Sequence, residues 1–399
     1  MDKDNLILLK EETESLCNIC YKEIKASVYA INGKVFLEKK CPIHGSFKST
    51  IETDIDCYKR LAHLKHRSFE DKNFCALIIP ITYKCNLNCE FCFLPHRDKK
   101  DLNLEQIKKI ISDFKGPHIG LSGGEPTLCA YLPEIIQHVR AKNKKSILVT
   151  NGLRLADIGY VKALKRVGLD CVELSLDGLD SGVYKSLKHP ERVLRDKMAA
   201  VRNLEKENIP ITLSITIYKG TNEAELKKIF YFAAKSDAVF RLKIRTSVKI
   251  GKFNQSIESY SMSELLKMFS HAVNIAPKDL LSNYLSPSSY FYPYGASLKI
   301  YYLIKKGRIV FMPLLTRLVI GFHHLLFILI LRFGSKKILS AAYKIRRRKM
   351  RFVKCLHLRI ICWPTVETID LGELKAGIAH VYDKEVLGFC HAVILNRKL

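Results

Sequence analysis

The chain has 399 residues, 48% of them hydrophobic, and a net charge of +27. That length and apolar share suit one large domain with appendages and argue against a disordered chain. An odd count of thirteen cysteines, behind a Met1–Lys10 segment whose apolar run is too short for a secretory signal, argues against a disulfide framework and for a reducing, cytoplasmic setting.

The first candidate chemistry is Cys17-Asn-Ile-Cys20, followed by Lys40-Cys41-Pro-Ile-His44-Gly45. Two close pairs of soft donors fit a structural zinc or rubredoxin-like iron site, with His44 or Cys57 as the fourth ligand. Between the pairs, Ala26–Leu37 reads as a hairpin turning at Asn32-Gly33. A metal-binding module is expected over residues 1–70, held together by its ion.

From Asn73 to about Phe253, β-branched runs alternate with helical patterns. Strands are expected at Cys75–Thr82, His118–Ser122, Ser146–Asn151, Asp170–Asp177, Ile211–Ile217 and Phe240–Ser247. Helices are expected at Asn103–Phe114, Leu132–Lys142, Ile158–Val167, Arg192–Asn208 and Glu223–Lys235. This alternation predicts an α/β fold of parallel units over residues 71–255. Ligands gather at the C-terminal ends of such strands, where the sequence places Gly123–Pro126, Asn151, Ser175 and Asp177. Asn222 is most simply the N-cap of the helix that follows it.

The first strand runs into Cys85, Cys89 and Cys92, in a C-x3-C-x2-C loop. Three thiolates can hold a [4Fe-4S] cluster that keeps one iron open. They can also form a zinc knuckle if His96 supplies a fourth ligand.

From Leu280 to Val366 there is no acidic residue, but sixteen Lys and Arg. Within it Ile309–Leu331 is long enough to span a bilayer, yet its basic flanks on both sides lack the asymmetry that orients a span. A basic, apolar helical segment over 256–350 is expected, docking peripherally on an anionic membrane surface. Arg346–Arg351 would suit phosphates, but the adjacent apolar surface argues against nucleic acid. The remaining region, 351–399, carries Cys355, Cys362 and Cys390, either buried thiols or the ligands of one auxiliary iron–sulfur cluster.

The cysteine loop, with Phe91 before its last cysteine and Gly123-Gly124-Glu125-Pro126 in register after it, resembles the radical S-adenosylmethionine (SAM) superfamily. That resemblance implies an open, partial (β/α)6 barrel with the N-terminal module ahead of it and a helical, cysteine-containing C-terminal region. It further implies a [4Fe-4S] cluster on Cys85, Cys89 and Cys92, and SAM beside Phe91, Gly123, Gly124, Glu125, Pro126, Asn151, Ser175 and Asp177. The implied reaction is reductive cleavage of SAM to a 5′-deoxyadenosyl radical, which abstracts hydrogen from an unactivated carbon. A low-potential electron donor is implied; no catalytic acid or base is named. The CxxC…Cys-Pro-x-His-Gly module ahead of the barrel is similar to that of tetraether lipid synthases and dihydropterin dimethyltransferases. The apolar, acid-free stretch favours a lipid substrate and lipid biosynthesis, with a pterin or other small-molecule methyltransferase, or a non-catalytic iron–sulfur protein, as alternatives. The chain departs from those relatives in having few C-terminal cysteines; none lies in Lys375–His380.

Overall fold

The computed structural model describes residues 6–65, 76–89, 92, 100–247, 259–284, 295–305, 308–312, 354–362, 367–368, 370, 379–383 and 385–388. The first of these form a four-stranded antiparallel sheet in sequence order: β1 Leu6–Leu16, β2 Glu23–Ile31, β3 Lys34–Cys41 and β4 Gly45–Glu52. The β2–β3 hairpin turns at Asn32 and Gly33, both left-handed at φ +50° and +77°, as a two-residue Asn-Gly turn requires. Val28 and Ala30 of β2 and Val35 and Leu37 of β3 face one way and are buried. They share a core with Cys57, Tyr58 and Leu61 of α1 (Ile55–Lys65).

Six parallel strands then follow at nearly the expected places: β5 Ala76–Thr82, β6 His118–Gly123, β7 Lys145–Thr150, β8 Cys171–Ser175, β9 Ile211–Ile217 and β10 Val239–Thr246. Between them run α2 Leu104–Asp113, α3 Leu132–Ala141, α4 Ile158–Val167, the short α5 Ser181–Ser186, α6 Arg192–Lys206 and α7 Glu225–Lys235, and α8 Met262–Val273 comes next. Helix ends follow local chemistry. Asn103 and Ser261 each close a capping box, at α2 and α8, and α4 ends on Gly168 at φ +97°.

Strand side chains alternate between two faces. One set, including Ile79, Leu121, Leu148, Leu174, Leu213, Leu242 and Ile244, packs against the helices in the main core. The opposite, inner face differs along the sheet. Ile78, Gly120 and Ile147 lie in register across β5–β7, whereas Glu173, Thr212, Ser214, Arg241 and Lys243 occupy β8–β10.

Beyond residue 255 the expected helices give way to strands wherever the chain is described, apart from α8 and the short turns after it. β11 Gly295–Lys305, β12 Arg308–Phe311 and β13 Lys354–Ile361 extend the barrel sheet, and β14 Ala379–Asp383 and β15 Glu385–Gly388 lie at its other edge. The eleven-strand order is β12-β11-β13-β10-β9-β8-β7-β6-β5-β14-β15. β13 is thus a seventh strand, parallel to β10, and β14 pairs parallel to β5. Sequence reading took Ile309 as the start of a helix, but Ile309–Phe311 pair with β11; residues 313–331 lie outside the described residues. A β-branched run beside an existing sheet edge gains a full ladder of hydrogen bonds, which outweighs its apolar helical look.

The same strand corrects the auxiliary-cluster expectation. Cys355 and Cys362 lie seven positions apart along β13 and its end, roughly 23 Å in extended chain, and an odd offset turns them to opposite faces. Cys362 packs against the helix-side core. One cluster cannot be shared by both; Cys390 lies outside the described residues.

Candidate functional site

Two sites are built from cysteine. In the N-terminal sheet, Cys17 and Cys20 flank the corner after β1, Cys41 ends β3, and His44 sits in the turn before β4. Their ligand atoms lie within 4.8 Å of one another. The Cys17 and Cys41 sulfurs are each 3.5 Å from His44 Nδ1, and the Cys20 and Cys41 sulfurs are 4.0 Å apart. Tetrahedral zinc with Zn–S bonds of about 2.3 Å sets sulfurs roughly 3.8 Å apart, so the donor set fits one ion. His44 is the fourth donor. Cys57 belongs to the α1 core instead, where burial raises its thiol. Burial also works against ionising Cys17, but backbone N–H groups of Cys20 and Ile19 outweigh it and bring the thiol down to about 6. That is the state a metal ligand needs.

The second site lies at the strand C-termini. Asp101 holds the exit of β5 by accepting from Thr82 Oγ1 (2.8 Å) and the Tyr83 amide (2.7 Å). The Gly123-Gly124-Glu125 turn is laced onto that exit: the Gly124 N–H donates to Thr82 O and the Glu125 N–H to Lys84 O, both at 2.7 Å. A Cβ at Gly123 would lie 2.1 Å from Thr82 O, and one at Gly124 would lie 2.3 Å from Lys84 O. The two glycines therefore let the turn touch the backbone that leads into the cysteine loop. Gly123, at φ +135°, is also in a conformation that other residues resist.

Glu125 is buried and accepts four hydrogen bonds, from the Thr127 amide and hydroxyl, the Thr150 hydroxyl (2.6 Å) and the Asn151 amide (2.8 Å). Pro126 opens the short turn that follows. Asn151 Nδ2 in turn donates to Asn86 Oδ1 of the cysteine loop at 2.7 Å. The loop itself is seated by Leu87, which packs on Tyr184 and Val193 with Cys85 and Cys89 alongside. The Leu87 amide points at the Cys85 sulfur, 3.5 Å away. Burial pushes the Cys89 thiol up to about 12, and nearby Cys92 and Cys85 push the same way. Three neighbouring, half-buried thiols fit the ligands of a cluster whose positive charge would keep them deprotonated. Phe91 and His96 lie outside the described residues.

Lys197 was not picked out from the sequence. It is buried on α6, and its ammonium donates to Ser175 O (2.7 Å), Ser175 Oγ (2.9 Å) and Asn151 O (2.9 Å). Burial lowers its pKa, while Asp177, Cys89 and Glu125 act to raise it. One signal was legible: Lys197 falls on the stripe Val193, Ala200, Val201, Leu204 that the helix buries. Asp177 Oδ1 accepts from the Thr216 amide at 2.9 Å. Asn222 is not a helix cap, since α7 begins after Ala224. Instead it is buried, and Nδ2 donates to Asp177 O and Thr216 O, each at 2.8 Å. A side chain with both a donor and an acceptor can pin two strand ends at once, which a capping role would leave unsatisfied.

Two stretches of the chain match known families. Residues 79–233 match the radical SAM superfamily, and residues 9–53 match the N-terminal zinc ribbon domain named HMPTM. The chain is 30% identical over 264 residues to the 7,8-dihydro-6-hydroxymethylpterin dimethyltransferase of Methanocaldococcus jannaschii, covering 58% of this chain and 52% of that protein. A probable GTP 3′,8-cyclase of Pyrococcus abyssi is 33% identical over 171 residues, 42% of this chain and 55% of its own. The chain thus spans about half the length of the curated relatives it matches. Streptococcus suis SuiB bound to its precursor peptide aligns with TM-score 0.45 at 18% identity, over 54% of this chain and 49% of that one. Residues 9–53 thus match a zinc ribbon, and residues 79–233, which carry the cysteine loop on a parallel α/β sheet, match the radical SAM superfamily.

Proposed function

We propose that this chain is a radical SAM enzyme that abstracts hydrogen from an unactivated carbon of its substrate. The observation that carries this reading is the lacing of Gly123–Glu125 onto the backbone entering Cys85. It joins a three-thiol loop to a strand-end turn, the pairing that lets one pocket hold cluster and SAM together. Cys85, Cys89 and Cys92 would hold the [4Fe-4S] cluster, and Asn151, Ser175 and Asp177 stand where SAM would lie. When bound, the cluster would supply the electron that cleaves the SAM sulfonium to a 5′-deoxyadenosyl radical. The chain's own work is positional. Glu125 and Lys197 fix the ends of β6, β7 and β8, and the seat of Leu87, Tyr184 and Val193 anchors the cysteine loop. Fixed polar groups lower the cost of bringing two reactants into line.

The substrate reading follows the inner face. Charged and hydroxyl side chains on β8–β10 solvate a polar molecule and disfavour an alkyl chain, which supports a small polar substrate such as a pterin. A lipid is the second reading, favoured by the acid-free stretch between Leu280 and Val366. Among the described residues no helix is long and apolar enough to cross a membrane. Anaerobic incubation with SAM, reductant and either a pterin or extracted membrane lipids, read by mass spectrometry, tests both. Formation of 5′-deoxyadenosine is expected; none at any cluster loading would refute the radical reading. Co-sedimentation with anionic liposomes that persists at high salt would favour the lipid.

A further inference from the structure

The inner face also carries a group of cations. Arg241, Lys243 and Arg245 alternate along β10 with Leu242 and Ile244, which pack in the helix-side core. Arg359 is in register with Lys243 across the β10–β13 pair and faces the same way. Arg241, Lys243 and Arg245 all act on one carboxylate. It is Glu173 of β8, whose oxygens lie 2.8 and 3.2 Å from Lys243 Nζ.

That ion pair reaches across β9, where Ser214 stands in register with Ser175 on one side and Lys243 on the other. Ser214 is 1% exposed, and among the described residues its hydroxyl has no hydrogen-bond partner; Arg245 Nε is likewise buried without one among them. Unsatisfied buried donors are rare and costly, about 1–3 kcal/mol each, so they call for a ligand. Burial holds the Lys243 ammonium down at about 8 in spite of Glu173, and Arg245 and Arg359 push in the same direction. A bound anion would relieve that repulsion.

The Arg245 end of the patch faces the cysteine-loop end of the sheet. Arg245 is near the C-terminal end of β10, and both it and Cys89 lie close enough to Tyr218 to influence its hydroxyl. From Arg241 to Arg245 the strand covers roughly 13 Å, more than one carboxylate needs. Guanidinium groups also match phosphoryl oxygens in pairs.

We infer that this inner-face patch binds a phosphoryl or diphosphoryl group of the substrate, and so holds the rest of the molecule at the cysteine-loop end of the barrel. The inference rests on the radical reading only in taking the barrel as the reaction chamber. A soluble phosphorylated molecule and a phospholipid headgroup present the same chemistry.

Calorimetric titration of the whole, cluster-loaded chain with inorganic pyrophosphate, and separately with monomeric short-chain phosphatidylglycerol, reads the site. Binding of at least one probe is expected, weakening as salt rises. The double variant R245Q/R359Q should bind roughly tenfold more weakly or worse, since hydrogen bonds to charged groups are the strong ones. Glu173→Gln removes the competing carboxylate and should tighten binding, a gain that misfolding cannot produce. Preference for pyrophosphate supports a soluble substrate on this patch, and preference for phosphatidylglycerol a lipid headgroup on it. If wild-type protein forms 5′-deoxyadenosine yet binds neither probe, the inference fails and the radical reading stands. Equal affinity in wild type and all variants also overturns it. Probe binding that the variants alter, in a chain that forms no nucleoside, supports the patch and removes the radical reading.

Discussion

The two cysteine sites of this chain solve opposite problems. In the ribbon, four donors from two chain corners converge within 4.8 Å, and nothing is left for a substrate to bind. A closed set of this kind serves folding. At the barrel mouth three thiols come from one loop, beside the strand end that carries Asn151. The ribbon's donors are positioned by its own hairpins. The loop is positioned from outside, by Asp101, by the glycine turn and by Asn151. An ion site can be local, but a site that must meet a substrate has to be held by the scaffold that surrounds the substrate.

Breaking each site should therefore have different consequences. The largest effect is expected from Cys89→Ala, which should remove the cluster's visible absorbance and bring 5′-deoxyadenosine formation below detection while thermal unfolding changes little. Next comes Cys41→Ala, which should release one zinc by elemental analysis. Because structural zinc supplies on the order of 10 kcal/mol of binding energy, the sheet of β1–β4 should lose its amide-exchange protection. Retained zinc in that variant would contradict the four-donor assignment.

Gly124→Ala sharpens the contrast, because it touches no ligand. Its Cβ would meet carbonyl oxygens of Tyr83 and Lys84, so the cysteine loop must shift. Misplacement on the scale of 1 Å can cost about 100-fold in rate, to be read as nucleoside formation per cluster. An unchanged rate would mean the turn does not position the loop. The smallest effect is expected from Lys197→Met, which leaves the carbonyls of Asn151 and Ser175 without their donor. A loss of about 1–3 kcal/mol in denaturant unfolding, with a raised KM for SAM, would mark it as a positioning residue. A stability loss without any change in KM or kcat would leave it merely structural.

Much of this arrangement was legible in the residues. All six barrel strands fell within a few residues of their places, because apolar runs separated by amphipathic helices leave few other choices. The ribbon ligands were legible because CxxC and Cys-Pro-x-His carry their own turn geometry. Lys197 was missed because its place on the buried stripe of its helix is a weak signal until the strand ends it reaches are known. Asn222 was misread for a similar reason: one of its partners, Asp177, lies 45 residues away in sequence. The β13 strand was hidden because its partners, β11 and β10, lie more than fifty and more than a hundred residues away, and the basic run before it suggested a surface. Local pattern reports what a segment can bury, but not which edge it will find.

The pairing of β14 with β5 joins Ala379 to Ala76. At translation rates of roughly 5–20 residues per second, the ribosome needs on the order of 15–60 seconds between making one partner and making the other. Throughout that interval β5 presents an open edge, with the cysteine loop at its tip. A nascent chain in this state is exposed to edge-to-edge aggregation, and its thiols are already available to metal. Cluster loading and the arrival of the last strands are thus set in a kinetic order by the topology, and the yield of intact protein should respond to translation speed as well as to iron supply.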